Sequence, residues 1–167
     1  VSANSNTVAI RFPDHKIIRY ILKKISFPLA MPSANVSSNV SPVCAEDVVD
    51  EFKKKIKLII DGGKSRIGIE STVVDLIGKP NILRPGIISS KLVHKVLKTK
   101  INILRKSRKL RSPGMLKKHY SPGIPIILNK KPNNEQFALI TFGKKYKNKK
   151  NYFNLSQKSD LKEAASN

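Results

Sequence analysis

The chain has 167 residues, a formal net charge of +22 and a single cysteine, Cys44. Its mass of 18.7 kDa allows one full domain or one and a half small ones. No apolar run approaches the roughly 20 residues of a membrane-crossing helix, so we expect a soluble protein of the cytoplasm. One cysteine and three scattered histidines exclude an internal disulfide and argue against a structural zinc site.

Positive charge is concentrated in one part of the chain. Between Leu76 and Asn134 there are fifteen Lys or Arg and no Asp or Glu. Such a segment can bind RNA or ATP, because lysine and arginine contacts with phosphate gain from the release of counterions. The alternative is that many of the lysines are solvated surface residues. The chain is rich in Lys, Ile and Asn together, a bias that a genome of low GC content can impose. The charge alone leaves both interpretations open.

The patterns up to Lys98 alternate between strands and helices. Runs of β-branched and apolar residues mark the strands, and apolar residues three or four positions apart mark the helices. In chain order we predict a strand at 7–12, a helix at 17–25 capped by Asp14, a strand at 29–31, a helix opened by Ser41 and Pro42, strands at 58–60, 69–76 and 81–83, and a helix at 89–97. This order indicates an α/β or α+β layered domain.

The pattern changes after Lys98. Residues 99–123 lose their periodicity and gain charge, proline and glycine, which predicts a basic linker. Strands are predicted again at 124–128 and 137–141, and Ser159 and Asp160 predict the capped start of a helix. We therefore expect three parts: a first domain at 1–98, a linker at 99–123 and the beginning of a second domain at 124–167.

Three short polar stretches, 32–38, 70–72 and 84–86, follow predicted strands, where a sheet presents side chains to a ligand. Groups suited to a small anion lie in or near them: Arg11, Ser33, Asn35, Ser41 and Arg84. The same residue types also close turns, cap helices and carry surface charge, so composition alone does not establish a ligand site. No phosphate loop, dinucleotide motif or nucleophile context occurs, and we assign no catalytic residue.

Six short motifs occur in the order and spacing of the YrdC-like domain. They are VAIRFPDH at 8–15, MPSAN at 31–35, SP at 41–42, DGG at 61–63, GIESTVVDL at 68–76 and LRPG at 83–86. SPGM at 112–115, followed by HYSP at 119–122, resembles the linker motif of two-domain threonylcarbamoyl-AMP synthases. The chain resembles this family over essentially its whole length.

The resemblance implies a YrdC-like twisted sheet with helices, then the start of a small Rossmann-like α/β domain. It implies a nucleotidyltransferase that joins L-threonine, bicarbonate and ATP into threonylcarbamoyl-AMP and pyrophosphate, with Mg²⁺ expected alongside ATP. A downstream threonylcarbamoyl transferase would place the group on an adenosine of tRNA. The chain would therefore meet tRNA indirectly, or directly through its basic surface.

The motif positions also imply roles for individual residues. Arg11, Met31 and Ser71 would bind L-threonine. The ATP or adenylate site would be formed by six residues, the last from the linker: Thr7, Ser33, Asn35, Ser41, Arg84 and Tyr120. The resemblance assigns no metal ligand to the chain.

The sequence also departs from the family. Its P-T-E-T-x-Y-G-L stretch and its K-x-R motif, whose cations meet the phosphates, do not occur here. We therefore expect a fragment that lacks the N-terminal half of the catalytic domain, with an unpaired sheet edge and an incomplete site. Its activity in isolation stays open. The alternatives are a basic module that binds double-stranded RNA or tRNA, and a non-functional remnant.

Overall fold

The computed structural model describes residues 6–104, 121–130, 136–145 and 150–167. These residues form a mixed α/β structure, as the sequence predicts, with small sheets and short helices. In chain order the elements are α1 (Lys16–Lys24), α2 (Ala45–Phe52), β1 (Val73–Asp75), β2 (Asn81–Arg84), α3 (Ser90–Leu97), β3 (Asn102–Ile103), β4 (Leu139–Thr141), β5 (Tyr152–Asn154) and α4 (Leu161–Ala164). None of the described helices is long and apolar enough to cross a bilayer.

The larger sheet has the strand order β1-β2-β3. β1 and β2 are antiparallel, with Val73 opposite Arg84 and Asp75 opposite Asn81. β2 and β3 are parallel and are joined through α3, as parallel neighbours require a crossover. β3 lies within the segment predicted as a linker, so the chain past Lys98 first adds a strand to the sheet.

The buried apolar side chains of the described part are Ile82 and Leu83 of β2 and Val93 of α3. Neighbouring residues of a strand point to opposite faces, so β2 is covered on both of its faces. α3 starts where the sequence predicts, because the Ser89 hydroxyl accepts a hydrogen bond from the Leu92 N–H at 3.4 Å. β2 and α3 therefore form the centre of the structure around the larger sheet.

β4 and β5 form a separate two-stranded parallel sheet. The predicted cap of the last helix is confirmed, since the Asp160 carboxylate accepts from the N–H groups of Lys162 and Glu163. The end of this helix contacts residues 66–68. The Gly68 N–H donates to the Ala165 carbonyl at 2.5 Å, and the Ser166 hydroxyl donates to the Arg66 carbonyl at 2.7 Å.

Several predicted strands are not formed. Residues 7–12, 29–31, 58–60 and 124–128 have no strand structure, and the predicted strand at 69–76 is reduced to β1. The side chains of Ile10 and Phe12 are 90% and 89% exposed. A strand needs a neighbour for its hydrogen bonds and cover for its apolar face, and no such neighbour exists for these segments in the described part of the chain.

The first helix is confirmed, but its predicted cap is wrong. α1 begins after His15, and Asp14 instead pairs with the exposed Arg66 at 3.1 Å. His15 is held by the DGG segment, where its Nε2 lies 3.1 Å from the Gly62 carbonyl oxygen. These contacts attach the segment before α1 to residues 61–66.

The second helix begins at Ala45 and not at Ser41 and Pro42. Its start is set by Asp47, whose carboxylate accepts from the N–H groups of Val43 at 2.8 Å and Cys44 at 3.2 Å. These N–H groups would otherwise be unpaired at the helix N-terminus. The Ser41 hydroxyl is therefore available for a different contact, which lies in the candidate site.

Candidate active site

A cavity of about 390 Å³ opens between three parts of the chain: residues 32–38, which we call the polar loop, the start of α2, and residues 59–70. This volume lies in the range of small-molecule sites. Its wall is mainly apolar and small, with isoleucine and valine side chains and the backbone of Gly62, Gly63 and Gly68. The charged side chains in the described lining are Arg11 and Glu70. The described lining thus offers one cation and one anion to a small-molecule ligand.

The polar loop is fixed on α2 through Glu51. The Glu51 Oε1 accepts from the Val36 N–H and from the Asn39 amide, each at 2.8 Å. Asn35 closes the loop by donating to the carbonyls of Val36 and Asn39. The amide oxygen of Asn35 is buried and accepts no hydrogen bond from the described residues. This rigid loop presents Ser33 to the cavity.

Four side chains form a connected cluster at the wall of the cavity, which we call the Glu70 cluster: Ser41, Glu70, Ser71 and Arg84. The Ser41 hydroxyl donates to Glu70 Oε1 at 2.7 Å. Arg84 Nη2 lies 3.6 Å from Glu70 Oε2, and the two side chains are only 12% and 22% exposed. Arg84 also donates from Nε to the Ser71 carbonyl at 3.0 Å and from Nη2 to the Ser71 hydroxyl at 3.3 Å.

The LRPG turn closes against the backbone of this cluster. A Cβ on Gly86 would lie 2.6 Å from the carbonyl oxygen of Glu70 and 2.7 Å from the carbonyl carbon of Ser71. These neighbours are backbone atoms and cannot swing away as a flexible side chain can. Glycine at this position therefore allows the turn after β2 to pack against the ends of residues 70–72.

The structure brings together some of the residues that the sequence predicts for the site. Arg11, Ser33 and Ser41 line the cavity, and Ser71 and Arg84 join it through Glu70. The lining of this cavity does not include Thr7, Met31 or Asn35. The contacts with a ligand that the sequence predicts for all nine site residues stay predictions.

Tyr120, predicted to close over the nucleotide, lies outside the described residues. The neighbouring Ser121 is described, and its N–H donates to the Ser38 carbonyl at 2.9 Å. Ser38 ends the polar loop that carries Ser33. The linker motif therefore rejoins the described structure beside the loop that forms one wall of the cavity.

Glu70 is the side chain of this cluster to which the sequence analysis gave no individual role. It begins the polar stretch 70–72 within the GIESTVVDL motif, but the residue contacts predicted there were those of Ser71. A carboxylate that is only 22% exposed needs a cation to compensate its burial. Arg84 lies on the antiparallel neighbour of β1, opposite Val73, so the pairing of these two strands supplies that cation. A search for charge pairs between the strands predicted at 69–76 and 81–83, taken as antiparallel neighbours, would have found it.

Cys44 also lines the cavity. A hydrogen bond with the Asp47 backbone lowers its pKa, but the side chain of Glu46, burial and the Asp47 carboxylate outweigh it, and the pKa of Cys44 is raised. The group is therefore a thiol at neutral pH and a poor nucleophile. The sequence assigned no role to Cys44, and its chemistry here gives no reason to assign one.

The fold and the site define an α/β protein with a cavity of small-molecule size that has one charge of each sign in its described wall. The chain is a member of the Sua5–YciO–YrdC family, because residues 1–86 match the sequence profile of that family, described as "Telomere recombination". Residues 87–167 match the profile described as "Threonylcarbamoyl-AMP synthase, C-terminal domain".

Curated proteins similar to this chain are named threonylcarbamoyl-AMP synthase. The chain is 36% identical over 140 residues to threonylcarbamoyl-AMP synthase of Pyrococcus abyssi, which covers 81% of this chain and 41% of that protein. The Schizosaccharomyces pombe enzyme is 38% identical, with 77% of this chain and 34% of that protein covered. For Bacillus subtilis the identity is 37%, with 77% and 38% covered. The chain thus spans well under half the length of these relatives.

The structure is also similar to solved structures of a Sua5 protein. The crystal structure of P. abyssi Sua5 complexed with L-threonine superimposes with a TM-score of 0.78 at 28% identity, over 99% of this chain and 54% of that chain. A P. abyssi Sua5 variant in which a histidine and the tyrosine after it are replaced by alanine gives a TM-score of 0.69 at 29% identity, over 97% and 52%.

Proposed function

We propose that this chain contributes to the synthesis of threonylcarbamoyl-AMP from L-threonine, bicarbonate and ATP, with release of pyrophosphate. One structural observation carries the proposal. Motifs far apart in the sequence supply Arg11, Ser33, Ser41 and Glu70 to the wall of one cavity, and Arg84 and Ser71 are bonded to Glu70 or to each other at its edge. The relatives named threonylcarbamoyl-AMP synthase support the same activity.

For L-threonine, the proposal rests on the charge of the cavity. Glu70 is compensated by Arg84, whereas Arg11 lines the cavity and is exposed. A guanidinium binds a carboxylate through two parallel hydrogen bonds, so Arg11 would hold the carboxylate of the amino acid. The relative solved in complex with L-threonine supports this substrate. Ser71 and Met31 would complete the threonine site.

For ATP, the proposal rests on the polar loop and the linker. Asn35 closes the loop that presents Ser33 to the cavity, and its predicted role at the nucleotide would be exerted through that loop. Ser33, Thr7 and Arg84 would contact the same nucleotide, and Tyr120 would close over it. The relative altered at a His-Tyr pair supports a role for the pair His119-Tyr120 in this linker.

The chemistry would be a nucleotidyl transfer. Bicarbonate first carbamylates the threonine amine with loss of water, and an oxygen of the carbamate then attacks the α-phosphorus of ATP. The bond from phosphorus to the β-phosphate oxygen breaks, and pyrophosphate leaves. Positioning of the two substrates and stabilisation of the growing negative charge carry such a reaction. Arg11 and the hydrogen-bond donors of the cavity would do both.

Mg²⁺ would enter with the phosphates of ATP and not through a site built by this chain. No cluster of three His, Cys, Asp or Glu side chains suitable for a metal occurs in the described residues. Both carboxylate oxygens of Glu70 already face Ser41 and Arg84, and Asp61 accepts from the Gly63 N–H at 2.7 Å. These carboxylates do not fit a magnesium site.

The proposal places the chain in the cytoplasm, upstream of a transferase that modifies tRNA. Direct binding of tRNA to the basic segment 76–134 is a second candidate, favoured by its fifteen cationic residues. Calorimetric titration with ATP and with L-threonine tests the main proposal, with saturable binding expected. RNA filter binding across a salt series tests the second, because phosphate contacts weaken steeply with salt. Saturable binding of RNA, without binding of ATP or threonine, would favour the RNA-binding function over the synthesis of threonylcarbamoyl-AMP.

A further inference from the structure

We propose that Glu70 is a positioning residue that sets the hydrogen-bonding polarity of Ser41 towards the nucleoside of the ligand. The inference rests on the proposed function, because it concerns how the ATP site is formed. No motif-based assignment includes Glu70. Its carboxylate joins two parts of the chain, Ser41 before α2 and Arg84 at the end of β2, through contacts of 2.7 Å and 3.6 Å.

The carboxylate determines which way the Ser41 hydroxyl points its proton. An ionised carboxylate has acceptors and no donor, so the hydrogen bond of 2.7 Å must use the proton of Ser41. A hydroxyl has one proton and two lone pairs. Once its proton is committed to Glu70, Ser41 presents its oxygen to the cavity as an acceptor only. It can then recognise an N–H or O–H of the ligand, and it repels a phosphate oxygen.

Arg84 holds the carboxylate in the orientation that this requires. Its guanidinium contacts Glu70 Oε2 and the carbonyl and hydroxyl groups of Ser71, and its side chain is only 12% exposed. The charge of Glu70 is thereby compensated inside the wall. The charge that faces an anionic part of the ligand is then that of Arg11, within the described lining. Glu70 acts through Ser41 and Arg84 and does not contact the reacting atoms.

The ligand group that Ser41 accepts from is a donor on the nucleoside, either a ribose hydroxyl or the 6-amino group of adenine. The affinities of the chain for ATP, 2′-deoxy-ATP, 3′-deoxy-ATP and inosine triphosphate distinguish these sources, since each analogue lacks one donor. We expect one analogue to bind about 3- to 10-fold more weakly than ATP, the loss of a single hydrogen bond.

Glu70→Gln is the decisive variant. The substituted amide can donate to the Ser41 oxygen, so the hydroxyl is free to reverse and the discrimination between ATP and that analogue should fall to about 2-fold or less. Ser41→Ala should lose the same discrimination, because it removes the hydroxyl that accepts from the ligand. Glu70→Asp keeps a carboxylate and should retain part of the discrimination. Asp50→Asn removes the same charge from the exposed side of α2, outside the cavity lining, and should discriminate as the unmodified chain does.

A ligand-free measurement keeps this proposal separate from the proposed function. The Arg84 Nε–H should give a slowly exchanging signal in a proton–nitrogen spectrum, because it donates to the Ser71 carbonyl at 3.0 Å. Glu70→Ala should accelerate its exchange at least about 10-fold, and Asp50→Asn should not. If the unmodified chain binds no ATP, the proposed function fails and the positioning role is decided by this signal. Unchanged discrimination in Glu70→Gln, or an unchanged signal in Glu70→Ala, overturns the positioning role alone.

Discussion

The backbone of Gly86 packs so closely on Glu70 that a Cβ at Gly86 would lie 2.6 Å from the Glu70 carbonyl oxygen. The LRPG turn thus requires glycine at this position for a steric reason that lies within the candidate site. It allows β2 to end directly behind the residues that hold Arg84 and Ser41. The geometry of the Glu70 cluster therefore depends on a residue that has no side chain.

Gly86→Ala should destabilise the fold by about 1–3 kcal/mol, the usual cost of forcing an extra carbon into a filled space. The midpoint of urea unfolding measures this loss. Gly123→Ala is the matched control, because a Cβ there would meet no atom within 4 Å. That variant should stay within about 0.5 kcal/mol of the unmodified chain. Equal midpoints for the two variants would contradict the close packing at Gly86.

Arg84→Ala should cost about 1.5–3 kcal/mol of stability, because it removes hydrogen bonds from a charged donor and leaves Glu70 partly buried without its cation. Arg84→Lys should recover only part of the loss, since an ammonium cannot contact Ser71 and Glu70 in the same planar arrangement. Chemical unfolding of both variants measures this order.

The control for Arg84 is Arg66→Ala. Arg66 forms an ion pair with Asp14 in which the side chains are 84% and 87% exposed, and such pairs contribute at most about 1 kcal/mol. A loss at Arg66 as large as that at Arg84 would show that the partly buried cluster has no special energetic role.

Arg11→Ala should weaken L-threonine binding about 10- to 100-fold, because the carboxylate loses a charged partner worth roughly 1.5–3 kcal/mol. The unfolding midpoint should change little, since Arg11 is exposed. Calorimetry of threonine binding gives the first result and urea unfolding the second. Arg19→Ala, which removes a cation 5.7 Å above the Phe12 ring, should leave threonine binding unchanged. Full threonine affinity in Arg11→Ala would exclude Arg11 as the carboxylate partner.

The start of α2 should depend on pH. The N–H of Val43 donates to the Asp47 carboxylate and lowers its pKa from the ordinary value of 3.8. A group whose pKa is lowered by folding contributes stability above its unfolded pKa and loses it as the pH falls through the folded pKa. Asp47→Asn should therefore lower the unfolding midpoint at about pH 6, and the difference should shrink towards about pH 3.

Asp50→Asn is the control for this pH dependence, because Asp50 is exposed on the same helix. The gap in midpoint between Asp47→Asn and Asp50→Asn should therefore be largest near neutral pH. If the difference in midpoint between the two variants stays constant down to about pH 3, the ionised Asp47 carboxylate does not stabilise the helix start.

Local patterns predicted the helices and one central strand, apart from the start of α2 and the cap of α1. The helices over 16–24 and 90–97 follow from apolar residues at helical spacing, and the caps at Ser89 and Asp160 follow from side chains that bond within their own turn. These features need only neighbours in the sequence. The strands predicted at 7–12 and 58–60 failed because a strand is stabilised by a partner that may lie anywhere in the chain.

By itself, the amino-acid sequence determined the family and the candidate ligand groups, since these reside in short motifs whose residues are contiguous. Only the tertiary structure decided that Ser41 donates to Glu70 and that Arg84 faces Ser71. Those contacts join residues 29 and 13 positions apart, and their geometry comes from the pairing of β1 with β2 and from the space at Gly86. Long-range distances of this kind are set by packing, which no local pattern records.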